Sequence, residues 1–577
     1  MNFFAELKRR NVHRAAVFYA GSAWLLVQVA TQVFPFFHIE EWVVRRVVVA
    51  AAIGFPFAIL FSWFYEWTPQ GIKRESEIDR SESVTPQTGK TLDRWIIAVL
   101  SLAVVLLLAN TFVLRKGTSA ETDKSIAVLP LLNESGNPDD EYFSDGLSEE
   151  LIAALLQIGD LKVIGRSSSF RFKGGKEDSR AVGEKLGVST LLEGTVRRQG
   201  ERVRIVAQLI NAADGRGLWA QTYDRELKDI FAVQAEIAQA VAVSLKLNLL
   251  GGEARAHQDA APQNAEAHNA FLQAHFLLER VNFEDYRKAV RHYDEAIRLD
   301  PGYALAYAER SEAWTWIADQ GSEPDPEAWV AARRDAEKAV ALNPSLAQSR
   351  AALGWVRFFS EWKLGEGIAE LENAKRLSPG NASANYTLAR MLAYMGRLEE
   401  AEAHATMAVE LDPLSANASR ELARILYLGG KFDEAIAMAR KTIELQPSAG
   451  ANRRWLVLIA VLRGDADTAL REAQQEPSPS YRRFELAIAY FARGDRAAAD
   501  AALAEQIAKD SLIGAYQTAQ IYAWRGETEH AIEWLQRAFD QHDTGTLSLR
   551  VDPLLRGLHA DPRYAALLVK MGLPLPK

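Results

Sequence analysis

The distribution of hydrophobic residues divides this chain into two parts. Nearly all of the strongly apolar sequence lies before residue 115, in three segments without a charged residue: Ala15–Phe37, Val47–Tyr65 and Trp95–Leu114. Each is about 20 residues long, which is enough for a helix to cross a bilayer core of roughly 30 Å. The pattern predicts three transmembrane α-helices that contact the lipid bilayer.

Three polar residues share one face of the first predicted span. Gln28, Thr31 and Gln32 stand at positions i, i+3 and i+4, where their side chains can hydrogen-bond to a neighbouring helix. Two interpretations stay open, namely packing among the three spans and a homo-oligomer formed through the membrane helices.

Basic residues near the spans predict the orientation of the chain. They cluster in the amino-terminal residues 1–14 and in the polar loop 66–94, which we therefore expect on the cytoplasmic side. Three spans then place everything after Leu114 on the other side, so we expect a multi-pass protein of a bacterial inner membrane with periplasmic C-terminal domains. The basic residues are Lys8, Arg9, Arg10, Arg14, Lys73, Arg74, Arg80, Lys90 and Arg94, against Arg45 and Arg46 in the short loop.

Residues 125–250 alternate strand and helix patterns, which predicts a small α/β domain with a mixed sheet. The stretches 125–151, 162–174, 186–227 and 229–238 resemble, in order, the TolB-like amino-terminal domain. Relatives with this organisation place the domain between a membrane segment and tetratricopeptide repeats, often with a cytoplasmic cyclase or winged-helix domain. Since only about 14 residues precede the first predicted span, we expect neither of those domains here.

Several polar clusters in this region, and a pair of histidines that follows it, are candidates for a functional site. Phe143–Gly146 and Glu193–Gly194 place acidic and small residues near element ends, where a site could form, but we favour loop and cap hydrogen bonds and relief of backbone sterics as their explanation. Arg166 with Ser167–Ser169 is either an anion site or a solvated loop. His268 and His275 lie seven residues apart on one helical face, but no third ligand at suitable spacing indicates a metal site.

After a linker at 251–264, a period near 34 residues runs through residues 265–543. Prolines end successive units at Pro301, Pro344, Pro379, Pro413 and Pro447, and glycines separate paired helices at Gly396, Gly430, Gly464, Gly494 and Gly526. Small residues recur where helices must approach closely: Ala389, Ala401, Ala408, Ala423, Ala435, Ala519, Ala531 and Ala538. These features resemble the tetratricopeptide family and predict about eight helix–turn–helix units closed by a capping segment at 544–577.

Composition narrows the function. The chain has no cysteine, which excludes a disulfide framework and thiol chemistry. Its net charge is −8, so its charge does not indicate a nucleic-acid-binding protein. The arginines Arg453, Arg454, Arg482 and Arg483 either contact an acidic partner or form a solvated face.

The fold class is thus a multi-domain protein with three transmembrane helices, an α/β domain and an all-α solenoid. We interpret it as a non-enzymatic, membrane-tethered scaffold that binds protein partners, with neither a cofactor nor a metal. The alternatives are a transmembrane sensor and an enzyme with an unrecognised site in the α/β domain.

Overall fold

The structure is a computed structural model with two compact units, Met1–Thr122 and Asp123–Lys577. It describes residues 16, 19–24, 27, 48–49, 51, 53–57, 65–68 and 71–74 of the first unit. Of the second unit it describes residues 124–156, 158, 161–245, 264–279, 283–320 and 325–575.

The first unit contradicts the predicted membrane spans. A chain that crosses lipid must satisfy its backbone hydrogen bonds within a continuous apolar helix. Among all residues that the structure describes, none belongs to a helix both long and apolar enough for this. Tyr65, the last residue of the second predicted span, instead begins strand β1 (Tyr65–Thr68), which pairs antiparallel with β2 (Gly71–Arg74).

The prediction of three transmembrane helices is therefore wrong, and so are the lipid contact, the membrane tether and the multi-pass inner-membrane localisation that depended on it. Apolar composition alone had suggested the spans, and composition does not establish a continuous helix. The third predicted span, Trp95–Leu114, lies outside the described residues, as do Gln28, Thr31 and Gln32.

The second unit begins with a mixed β-sheet in the strand order β5-β3-β6-β7-β8. Strand β3 pairs parallel with β5 and β6, whereas β6, β7 and β8 form an antiparallel meander, and the short β4 pairs parallel with β6. The strands are β3 (Ser125–Val128), β4 (Leu132–Asn133), β5 (Lys162–Val163), β6 (Thr190–Gln199), β7 (Arg202–Asn211) and β8 (Gly217–Glu226).

Alternation along β7 orients the sheet. Val203, Ile205, Ala207 and Leu209 are buried, while the intervening residues are exposed, as expected for a strand with one covered face. The helices of this sheet domain are α1 (Glu141–Leu155), α2 (Arg166–Ser169), α3 (Ser179–Leu186) and α4 (Ile230–Ser244), of which α1 and α4 contact each other.

In the described residues from 265 to 540, sixteen helices form eight successive hairpins. The first helices of most neighbouring hairpins contact one another, so they form the inner layer of a curved array. The hairpins are α5 (Ala265–Leu278) with α6 (Phe283–Leu299), α7 (Ala304–Gln320) with α8 (Pro326–Leu342), α9 (Ala347–Trp355) with α10 (Leu364–Leu377), α11 (Ala382–Tyr394) with α12 (Leu398–Leu411), α13 (Ala416–Leu428) with α14 (Phe432–Leu445), α15 (Arg454–Leu462) with α16 (Ala466–Gln474), α17 (Pro479–Arg493) with α18 (Arg496–Asp510), and α19 (Ala515–Trp524) with α20 (Thr528–Asp540).

The predicted helix-packing residues lie within the hairpins and in the links between them. The eight alanines are fully buried, and a side chain larger than a methyl group there would separate the helices. Gly396, Gly430 and Gly526 adopt φ near +75° in the turn between the two helices of a hairpin, a conformation that costs other residues strain. Pro413 and Pro447 follow α12 and α14 and lie in the links to the next hairpins.

The end of the array folds back onto its middle. His542 stacks on Trp362 with ring centroids 3.9 Å apart, and its Nε2 lies 2.8 Å from the carbonyl oxygen of Ser360. Arg550 donates to the carbonyl of Met395 at 3.0 Å and fills the space beside Gly396. A final helix, α21 (Pro562–Lys570), packs on α20. This closing contact brings the segment after the last hairpin, residues 542–550, beside the second to fourth hairpins.

The turn conformation generates a prediction. Gly430→Ala forces a methyl group onto a residue at φ +76°, and should lower the free energy of unfolding by about 1 kcal/mol, although nothing lies within 4 Å of the added atom. Gly365→Ala is the matched control, because this exposed glycine lies inside α10 with equally open space. The control should be neutral or stabilising in urea denaturation, and equal losses in both variants would contradict the argument.

Candidate functional site

The sheet domain and the first hairpins share one hydrophobic core. Leu147, Leu151 and Leu192 of the sheet domain belong to the same buried cluster as Phe271 and Leu272 of α5. Helix α1 approaches α5 closely because Gly146 has no side chain, and a Cβ there would lie 2.5 Å from the Leu272 side chain. The sheet domain is therefore packed directly against the array.

A buried ionic network reinforces this contact. His275 of α5 contacts Glu149 of α1 through Nε2 and Glu309 of α7 through Nδ1, the latter at 2.7 Å. Arg166 lies 2.6 Å from Glu149 and 2.8 Å from Glu279. Since both ring nitrogens of His275 face carboxylates, the ring is held as a cation between the sheet domain and two first helices.

The pKa values agree with this geometry. Burial alone would lower the pKa of His275, but the carboxylates of Glu149 and Glu309 outweigh it and raise that pKa well above its ordinary value. Burial likewise opposes ionisation of Glu149, yet the charges of His275 and Arg166 lower its pKa. Both groups are therefore ionised at neutral pH.

A second contact joins the sheet domain to the fourth and fifth hairpins. Asp412, between α12 and α13, accepts hydrogen bonds from the backbone N–H of Ser168 at 2.7 Å and from its hydroxyl group. The Ser168 Oγ in turn accepts from the N–H of Leu414 at 2.7 Å, and the N–H of Gly165 donates to the carbonyl of Leu411 at 2.8 Å. Ser168 of the serine cluster thus binds a carboxyl group of the same protein.

The other candidate clusters of the sequence also form contacts within the protein. Asp145 binds Lys173 at 2.6 and 2.8 Å, and Glu193 accepts from Gln208 at 2.6 Å. His268 contacts Glu150 at 2.5 Å.

The four arginines around α15 and α17 divide into two kinds. Arg453 pairs with Glu472, Arg483 forms a bidentate pair with Asp510 at 2.8 Å, and Arg482 donates to the carbonyl of Pro477. Arg454 points instead toward the inner layer, where its guanidinium lies over the rings of Trp455, Tyr481 and Phe484.

Around Arg454, the first helices α11, α13, α15 and α17 form an inner face rich in cations. Glu421 is 2% exposed and accepts from Arg390 at 2.9 Å and from Arg424, which also donates to the Tyr394 hydroxyl at 2.6 Å. One carboxylate therefore serves two guanidinium groups. Positive charge remains in excess.

Two further arginines on this face have no carboxylate partner among the described residues. Arg420 donates to Asn417 at 2.7 Å, and Arg454 lies 3.5 Å from the side-chain oxygen of Gln520. Burial and the neighbouring charge of Arg390 lower the pKa of Arg420. Both guanidinium groups thus retain capacity for an anionic ligand.

The inner face changes sign toward the first hairpins. Glu309 and Glu312 lie on α7, and burial together with Glu309 and Glu279 raises the pKa of Glu312 to about 7. At the closing contact, burial raises the pKa of Asp543 to about 6 and that of Asp319 above its usual value. The face is therefore acidic at one end and basic in its middle.

The 34-residue period of the sequence also predicts this basic region. Tyr386, Arg420 and Arg454 are 34 residues apart, and so are Arg390 and Arg424. Equivalent positions of successive hairpins fall at equivalent places on the inner layer. The period that locates helix packing also locates a row of inward-facing side chains. Treating Arg453 and Arg454 together as one charge run does not reveal this row, because only Arg454 belongs to it.

The comparisons agree with this architecture. Residues 386–450, which span α11 to α14, match the family model of the tetratricopeptide repeat. The prediction of tetratricopeptide repeats is thereby confirmed, and the inner face belongs to a class of helical arrays that bind proteins. The resemblance of the sheet domain to the TolB-like domain stays a prediction.

Among curated proteins, the chain is similar to "Putative adenylate cyclase 3" of Rhizobium meliloti (strain 1021), with 37% identity over 242 residues. The alignment covers 41% of this chain and 41% of that protein, so the chain spans less than half the length of this relative.

Three solved structures illustrate the likeness of fold. Pseudomonas aeruginosa pilF is 18% identical over 35% of this chain and 90% of its own, with a TM-score of 0.29. YrrB, described as a TPR protein with an unusual peptide-binding site, is 19% identical over 36% and 96%, with a TM-score of 0.25. The Cut9-Hcn1 assembly is 16% identical over 60% and 64%, with a TM-score of 0.37. At these TM-scores the likeness says nothing about what this chain binds.

The buried network predicts a pH-dependent contact. His275→Gln leaves Glu149 and Glu309 without their shared cation and should cost about 3 kcal/mol. Because the pKa of His275 is raised on folding, its stabilisation is complete below roughly pH 6.5, the unfolded value. It is lost as the pH rises through the folded pKa.

Protection of α1 and α5 against hydrogen exchange, corrected for the intrinsic pH dependence of amide exchange, should fall at high pH in the wild type. This pH-dependent loss of protection should be absent in His275→Gln. His530→Gln is the control, since His530 is 57% exposed and pairs with Glu527 at 3.5 Å. Identical pH profiles in the wild type and His275→Gln would disprove the role of His275.

The second contact predicts a local effect. Asp412→Ala removes the acceptor of the Ser168 N–H and hydroxyl, and should weaken docking of residues 165–171 by about 1–3 kcal/mol. Limited proteolysis near Arg171 should accelerate. Asp433→Ala is the control, because Asp433 is 89% exposed and pairs with Arg463 at the surface. Equal protease sensitivity of the two variants would count against this assignment.

Proposed function

We propose that this protein is a non-enzymatic scaffold that binds a segment of a partner protein along the inner face of its repeats. The observation that carries the proposal is the row of inward-facing side chains on successive first helices, including Tyr386, Arg420, Arg454 and Tyr481. An array of helical hairpins buries apolar surface only between neighbours and leaves an extended curved face for a ligand.

The docked sheet domain supports this function by stiffening the array. Its Glu149 contacts His275 of the first hairpin, which in turn contacts Glu309 of the second, and its Ser168 contacts Asp412 at the junction of the fourth and fifth. The closing contact between His542 and Trp362 restrains the opposite end. A face held in shape before binding loses less conformational entropy when it takes up a partner.

An enzymatic alternative comes from the curated relative, whose printed name is that of an adenylate cyclase. The matched region is less than half of that protein, so the name is a weak guide to this chain. The sheet domain has an open cleft beside Arg198, whose guanidinium donates to the Tyr142 hydroxyl and to Asn269, both at 3.1 Å. Formation of cyclic AMP from ATP by the purified full-length chain would contradict the scaffold proposal.

The sensor alternative required the predicted spans and is not retained.

Site-resolved photo-cross-linking tests the scaffold proposal. A photoreactive phenylalanine analogue at Tyr386 lies on the inner layer, whereas the same analogue at Met407 lies on the outer helix α12, where the side chain is 45% exposed. We expect the same partner bands to cross-link at position 386 and at Tyr481, and not at Met407. Capture that is equal at all three positions, or confined to Met407, would contradict binding on the inner face.

A further inference from the structure

The charge and spacing of the inner face define its ligand more closely. Three guanidinium groups, from Arg390, Arg420 and Arg424, lie around the buried carboxylate of Glu421, which leaves positive charge in excess there. A fourth, from Arg454 on the next first helix, has no ion pair among the described residues and lies over the rings of Tyr481 and Phe484. Such a cluster favours occupation by carboxylates.

The spacing of the arginines specifies the shape of the occupant. Arg420 and Arg454 occupy equivalent positions of α13 and α15, two first helices that contact each other. Packed helices lie roughly 8–10 Å apart. An extended chain in the polyproline II conformation rises about 3.1 Å per residue with three residues per turn, so a residue three positions further on lies about 9 Å away on the same face.

We infer that the inner face binds an extended acidic segment of a partner protein whose carboxylates are about three residues apart, one at Arg420 and the next at Arg454. This rests on the proposed function and specifies its partner. Arg390 and Arg424, already bound to Glu421, supply the surrounding positive field. The rings of Tyr386 and Tyr481 flank the arginines and pack against the segment between its acidic residues.

The observations favour an acidic protein segment over a nucleic acid, which is also a polyanion. The protein has a net charge of −8, and the inner face turns acidic at Glu309, Glu312 and Asp319. A long uniform polyanion would meet those carboxylates as well as the arginines. A short acidic stretch is confined to the basic middle.

Fluorescence anisotropy with the full-length chain and defined peptides tests the inference. The spaced peptide carries aspartate at every third position on a serine and glycine background. Its clustered isomer has the same composition with adjacent aspartates, and a third peptide has lysine in place of aspartate. We expect the spaced peptide to bind most tightly, the clustered isomer severalfold more weakly, and the lysine peptide not at all.

Variants assign the binding to the two arginines. Arg420→Gln and Arg454→Gln should each weaken binding of the spaced peptide by about tenfold, while Arg420→Lys should retain part of it. Asp319→Asn removes a negative charge near Arg390 and should tighten binding severalfold. Arg471→Gln is the matched control, since Arg471 is exposed on the outer helix α16 and should leave the affinity unchanged. Circular dichroism identifies any variant that fails to fold.

The outcomes separate the inference from the function on which it rests. Neutral or lysine peptides that cross-link at Tyr386, with affinities indifferent to Arg420→Gln and Arg454→Gln, would overturn the acidic segment and leave the scaffold standing. An oligothymidylate that binds more tightly than the spaced peptide, with the same dependence on both arginines, would overturn it in favour of nucleic acid. Failure of every peptide to bind, together with no partner cross-link at Tyr386, would overturn both.

Discussion

Close packing at alanine sets the geometry on which the rest of the molecule depends. Ala389, Ala401, Ala423 and Ala435 are fully buried between helices, and each allows two backbones to approach to a distance that a larger side chain would prevent. Because the same spacing recurs at each hairpin, equivalent residues return to equivalent places on the inner layer. The alignment of Arg420 with Arg454 is a consequence of that packing and requires no additional contact.

The sheet domain turns this repetitive array into a fixed body. An array alone is held only by contacts between neighbours, which makes local opening easy. Here Ser168 and Asp412, which are 244 residues apart in sequence, share a buried hydrogen bond, and the charged ring of His275 links α1 to α5 and α7. Long-range contacts of this kind oppose bending of the array between its first and fifth hairpins.

The sequence supports some of these conclusions and not others. Hairpins were predictable because their signals are local and repeated, as at Gly430, where a turn at positive φ excludes most residues, and at Pro447, which follows a helix. The partnership of Ser168 with Asp412 was not, since no local pattern encodes it. Three transmembrane helices were predicted from hydrophobic composition, which describes solvent preference, and among the described residues no helix is long and apolar enough to cross a membrane. The row at Arg420 and Arg454 was readable from the period, but their equivalence becomes meaningful only once the first helices are known to form the inner layer.

The contact with the sheet domain and the candidate binding face both involve helix α13. Asp412 lies just before α13, and Arg420 and Glu421 lie within it, so the contact that holds Ser168 also fixes the start of the helix that presents a ligand-binding guanidinium. Glu421 then orients Arg390 and Arg424 from the neighbouring turns and the preceding first helix. A shift of α13 would therefore move the sheet-domain contact and the arginine row together. The position of the sheet domain and the shape of the inner face are for this reason two aspects of one packing arrangement.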